Sequence, residues 1–142
     1  MEKPSGADLY ISVAIRNAEK SFSKGILVQS KWDRAFAHSK ERRRLRTQAR
    51  YMLDRTQESY IWIYEPTGIR VMRATAIFPP ALLPIAVSGT TVGELIAAGL
   101  RCNAGDPRIG RDMGLPLVES LDSMLERLAA KTGLELALRA ID

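Results

Sequence analysis

The sequence predicts an α/β domain: a small mixed central sheet, one basic helix flanking it, and further helices at the C-terminus. Three observations predict this. Residues 8–15 and 25–32 read as β-strands, the first by strict alternation of apolar and polar positions. Residues 40–56 carry apolar side chains at helical spacing. Residues 117–128 form a second, strongly apolar helical stripe. A length of 142 residues suits one domain with its own core. Residues 1–142 are therefore read as a single domain, with a core region over about 6–78 and a helical extension over about 88–142.

Each element has a local reason. In the first strand Leu9, Ile11, Val13 and Ile15 alternate with Asp8, Tyr10, Ser12 and Ala14. Residues 16–24 are polar and read as a loop. The second strand is rich in Ile, Leu and Val, as β-propensity requires. In the helix, Leu45, Gln48, Ala49, Met52 and Thr56 share the face expected to meet the sheet. Glu58–Tyr64 and Ile69–Phe78 then read as two strands joined at Pro66-Thr67-Gly68. In the tail, Thr91-Val92-Gly93-Glu94 fits a capping box opening a short helix. The stripe Leu117, Leu121, Met124, Leu125 and Leu128 predicts a longer one, stopped at Gly133. There is no internal repeat and no low-complexity segment.

Composition narrows the function. No run of about 18 apolar residues is present, so no membrane-spanning helix is expected. The opening MEKPSGADLY has no apolar signal core. One cysteine, Cys102, allows no internal disulfide and points to an intracellular, cytoplasmic setting. Cys102-Asn103-Ala104-Gly105-Asp106 has no histidine near it and is given no role. The one histidine, His38, excludes a multi-histidine metal site and makes zinc a poor candidate. The net charge of +5 lies wholly in residues 40–50, where Lys40, Arg42, Arg43, Arg44, Arg46 and Arg50 face Glu41 alone. Such a local patch fits a polyanion partner, or else a solvated helix face.

The chemistry-bearing residues lie on the first two strands. Gln29 and Lys31 are two apart and share a strand face. If the loop centres near residue 20, Asp8 sits opposite residues 31–33, with Lys31 beside it and Gln29 on the diagonal. Asp8 and Gln29 would offer hard oxygen ligands to Mg2+ or Mn2+. Lys31 would stabilise charge on a phosphodiester transition state. Gln48, on the inner helix face, is either a satisfied boundary glutamine or a hydrogen-bond donor near that site. Arg43, Arg46 and Arg50 share another helix face and would contact nucleic acid.

Asp8, then Gln29-Ser30-Lys31, then a helix and a further strand resemble the PD-(D/E)XK, restriction-endonuclease-like nuclease superfamily. The glutamine variant is similar to that of its Mrr-type branch. The resemblance covers about residues 6–78 and rests more on element order than on the tripeptide. It implies a magnesium-dependent endonuclease that hydrolyses DNA phosphodiesters, with Asp8, Gln29, Lys31 and Gln48 as site residues. Two departures stand out. Only seven residues precede Asp8, so the helix and first strand usual in the family are expected to be missing, which makes the core a truncated one. No proline precedes Asp8, where the sequence reads Gly6-Ala7-Asp8. The RecB-type signature of glutamine and tyrosine four apart is also not met, since Gln48 is followed by Met52. Two alternatives stay open. One is a non-catalytic or degenerate nucleic-acid-binding module using the arginine-rich helix. The other is a small interaction subunit docking through its apolar C-terminal helix. A homodimer is compatible with either.

Overall fold

The computed structural model describes residues 7–16, 21–78, 90–94 and 105–139. In chain order the elements are β1 (Leu9–Arg16), β2 (Ser21–Trp32), α1 (Ser39–Leu53), β3 (Ser59–Glu65), β4 (Gly68–Arg73), β5 (Thr90–Thr91), α2 (Leu117–Leu128) and β6 (Thr132–Arg139). Short 3-10 turns span Asp33–Ala37, Ala74–Ile77 and Pro107–Ile109. The strands form one mixed sheet in the order β5-β4-β3-β2-β1-β6. The β1–β2, β3–β4 and β4–β5 pairs are antiparallel, whereas β2–β3 and β1–β6 are parallel. The α/β class and the mixed central sheet agree with the sequence.

The β2–α1–β3 unit follows from a topological need. Parallel neighbours cannot be joined by a tight turn, so the chain must cross over, and α1 is that crossover. Its helix forms because residues 39–53 contain neither Gly nor Pro. Leu45, Ala49 and Met52 are buried along one stripe. They join Tyr10, Leu27, Ile61, Ile63 and Met72 in the larger core cluster. α2 adds Met124 and Leu128 to the same cluster. Truncating such a buried leucine typically costs about 2–5 kcal/mol. The opposite sheet face is also buried, through Ile11, Val13, Ile26, Val28, Tyr60 and Val71. Leu9, Ile11 and Val13 do lie opposite Tyr10, as their parity requires, but the larger apolar cluster is on the Asp8 face.

Four elements depart from the sequence reading. β2 begins at Ser21, so residues 21–24 are strand and not loop. β4 ends at Arg73 and gives way to a 3-10 turn. α2 stops at Ala129, which takes a left-handed conformation at φ 52°, with Ala130 N donating to Leu125 O at 3.0 Å. Gly133, expected to end the helix, instead lies inside β6. The C-terminal region is thus a helix followed by a strand. Parallel pairing from Leu9↔Thr132 to Arg16↔Arg139 satisfies what would otherwise be the open edge of β1. Residues 92–94 are helical, in keeping with a start near Thr91. Cys102 lies outside the described residues. No helix among the described residues is long and apolar enough to cross a membrane.

The segment 105–111 lies directly on β2. Gly25 and Asp106 exchange two backbone hydrogen bonds at 2.9 Å. A Cβ at Gly25 would stand 2.4 Å from the Ile109 carbonyl oxygen, and one at Gly110 would stand 2.0 Å from that of Ser23. Only glycine permits this approach at either position.

Candidate functional site

The register of the first hairpin decides which side chains meet. Leu9 pairs with Val28, so Asp8 lies across from Gln29 rather than from residues 31–33. The early start of β2 moves the turn towards the N-terminus and moves the partner of Asp8 from residues 31–33 to residue 29. Residues directly opposite one another share a face, as do residues two apart on one strand. Asp8, Gln29 and Lys31 therefore still share a face, but Gln29 is the direct neighbour and Lys31 lies one pleat beyond. This reverses the order expected from the sequence.

The Asp8 carboxylate is well supplied with donors. Its Oδ2 accepts from Gln29 Nε2 at 2.9 Å, from Ser30 Oγ at 2.9 Å and from the Ser30 amide at 3.2 Å. Its Oδ1 lies 3.9 Å from Lys131 Nζ, contributed by the α2–β6 connection. Lys31 turns to the first turn of α1, where its Nζ is 3.7 Å from Glu41 Oε2. Gln29 is buried, while Asp8 keeps 32% of its side chain exposed. The cluster sits where β2 ends and α1 begins. In open α/β sheets this end, beyond the carboxyl ends of the parallel strands, is where ligands bind. Helix N-termini there favour anions.

Gln48 makes no hydrogen bond to this cluster. Its Oε1 is buried without a partner among the described residues, an arrangement that normally costs stability. Arg43 and Arg50 are exposed on α1 and Arg46 is half-buried, with Arg50 lying 5.6 Å from the centre of the Phe78 ring. Glu41, Ser30 and Lys131 are members of the cluster that sequence reasoning misses. Glu41 carries a signal, being the one acid in a basic block and standing in the first turn of α1. Ser30 and Lys131 carry none, because only the register and β6 bring them to Asp8.

The donor set bears on the metal. Among the described residues no three His, Cys, Asp or Glu side chains are grouped to hold an ion. Asp8 is the single carboxylate at this position on β1 and β2. Magnesium accepts so sparse a set when waters and substrate phosphates complete its shell. Gln29 turns Nε2, a donor, towards both Asp8 and the Ser30 carbonyl, so it would serve as a metal ligand only with its amide turned to present Oε1.

A second polar cluster lies on the same sheet face. Arg111 and Glu135 form a buried ion pair, 1% and 8% exposed. The Arg111 Nε and its Nη2 donate to the two carboxylate oxygens of Glu135, the latter at 3.2 Å. Arg111 Nη1 donates to Ser120 Oγ at 3.0 Å, and the Arg111 amide to Ser23 Oγ at 3.0 Å. Ser12 Oγ donates to Glu135 Oε1 at 3.0 Å and lies 2.7 Å from Ser23 Oγ. Nearby, the Tyr10 hydroxyl donates to Ile109 O at 2.6 Å, and burial pushes its phenol up to about 12. Asp106 accepts from Thr56 Oγ1 at 2.7 Å and from Arg108 Nη2 at 3.0 Å. The Arg108 hydrogen bond outweighs the effect of burial and, with help from Thr56, holds the carboxyl down at about 2.

Comparison with protein-family models, with curated proteins and with solved structures finds no match to this chain. The functional reading therefore rests on fold and geometry.

Proposed function

We propose that the chain is a nuclease-like domain that binds DNA and hydrolyses its phosphodiester bonds at the Asp8, Gln29 and Lys31 end of the sheet. The observation that carries this reading is the Asp8–Gln29 contact at 2.9 Å with Lys31 on the same face, beside the start of a basic helix. Asp8 and Gln29 would hold magnesium, which when bound supplies positive charge to the phosphate and acidifies a coordinated water. Lys31 offsets negative charge building on the phosphoryl oxygens. Glu41 keeps the Lys31 ammonium at the strand end in the absence of substrate and yields it to a phosphate. Arg43, Arg46 and Arg50 hold the backbone of the nucleic acid by charge.

One observation favours the alternative of a binding module without catalysis. Asp8 Oδ2 already has three donors, and Lys31 already has a carboxylate partner.

The deciding experiment is nicking of supercoiled DNA with magnesium or manganese, comparing the parent with Lys31→Ala. Removing one transition-state charge interaction should slow cleavage on the order of 100-fold or more. Equal rates would remove Lys31 from the chemistry. Binding without cleavage by both proteins would favour the module. Gln29→Glu should hold or raise metal affinity, and a fall would exclude Gln29 as a ligand.

A further inference from the structure

The rim of the sheet next to Lys31 carries two neighbouring rings, Trp32 exposed and Tyr64 half-buried. Trp32 follows Lys31 and, by pleat parity, projects to the opposite face. It pairs across the sheet with Tyr64 on β3, and Tyr64 pairs with Ile69 on β4. The three side chains therefore form one line across three strands. Trp32 is 57% exposed and Ile69 38%. The Trp32 and Tyr64 rings lie 5.5 Å apart and are tilted by 50°, so neither covers the face of the other. The Arg34 guanidinium lies over the Trp32 ring, 5.5 Å from its centre, on one face of the indole.

Resting on the nucleic-acid reading above, we infer that Trp32, Tyr64 and Arg34 form a stacking platform for an unpaired nucleobase, so that the site prefers single-stranded over duplex nucleic acid. A flat base stacks on an exposed aromatic face whatever its identity. Arg34 sets a cation where the phosphate flanking that base would pass. Ile69 extends the apolar floor by one strand. The pleat places this platform on one side of the rim and Lys31 on the other, a single residue apart. A strand crossing the rim thus meets rings with a base and an ammonium with a phosphate. Duplex DNA keeps its bases stacked inside and offers nothing to the rings.

The test is fluorescence anisotropy in EDTA with three labelled probes: a short oligothymidylate, the same backbone without bases, and a duplex of equal length. The parent should bind oligothymidylate about tenfold or more tightly than the abasic strand, in keeping with the usual strength of base–aromatic stacking. Trp32→Ala should abolish that difference and leave abasic binding unchanged. Trp32→Phe should keep most of it. Arg34→Ala should instead lower the salt slope of single-strand binding by about 0.7. Thermal unfolding of each variant reports folding. If Trp32→Ala does not fold, the abasic comparison on the parent and the Arg34→Ala slope still decide. Equal affinity of the parent for the base-containing and abasic strands overturns the platform. So does Trp32→Ala binding like the parent, and in both cases the phosphodiesterase reading stands if Lys31-dependent cleavage persists. A parent that binds none of the three probes overturns both.

Discussion

Two polar clusters stand on the same face of the same strands, and they are built on opposite terms. Around Arg111 and Glu135 the charges are buried, and all three guanidinium nitrogens donate within the protein. Around Asp8 and Lys31 the groups are partly exposed, and the ion pairs are longer, at 3.7 and 3.9 Å. A closed network has nothing left to offer a ligand, so its role is to fix which elements meet. It ties β1, β2, β6, α2 and the segment before α2 to one another. The open cluster holds two carboxylates, an amide and two ammonium groups, and the ammonium groups can exchange their carboxylate partners for a phosphate. Polarity in a sheet is therefore a poor sign of function by itself, and burial with complete satisfaction separates the two cases.

Removing one cation from each cluster should separate them most clearly. Arg111→Ala leaves Glu135 buried without its partner and should cost about 3–5 kcal/mol, read as a steep fall in the urea midpoint or failure to fold. Lys31→Ala should change stability by less than about 1 kcal/mol, because its pair with Glu41 is partly exposed. Equal losses at the two positions would erase the distinction.

A smaller effect concerns Asp106, which clamps the 105–111 segment to Thr56, just beyond α1. Its folded-state carboxyl lies at about 2, below the ordinary 3.8. A lowered value means that the contribution is complete above about pH 4 and is lost as the pH falls towards 2. Screening through the exposed Arg108 limits it to about 1–2 kcal/mol. Asp106→Asn should remove that part of the acid limb in urea titrations between pH 2 and 5. An unchanged limb would place the acid sensitivity elsewhere.

The smallest expected effect on the fold belongs to the arginine face. Alanine at Arg43, Arg46 and Arg50 together should lower stability only modestly, in part through the lost contact of Arg50 with the Phe78 ring. For duplex DNA, the slope of log affinity against log salt should fall by about 0.9 for every phosphate these side chains neutralise. A slope equal to that of the parent would return this face of α1 to plain solvated surface and confine nucleic-acid contacts to the sheet rim.

Local periodicities could be read from the chain alone. Alternation located β1, the β-branched run located β2, and the spacing of Leu45, Ala49 and Met52 located α1 and its buried face. Parity also placed Gln29 and Lys31 together and Leu9, Ile11 and Val13 on the other face. These features were legible because a period of two or of 3.6 depends only on neighbours in the chain. β6 was not, although Leu134 and Leu136 alternate with Glu135 and Ala137, because Leu, Glu, Ala and Arg also favour helix. What settled it was the open edge of β1, a tertiary fact. The register of Asp8 against Gln29 was likewise set by where β2 begins. Lys131 at Asp8, Glu41 at Lys31, Asp106 at Thr56 and Arg111 at Glu135 are meetings between segments that no spacing rule connects. Tertiary structure decided them because a side chain's partner is fixed by which surfaces the closed chain brings together, while its face is fixed by the geometry of its own element.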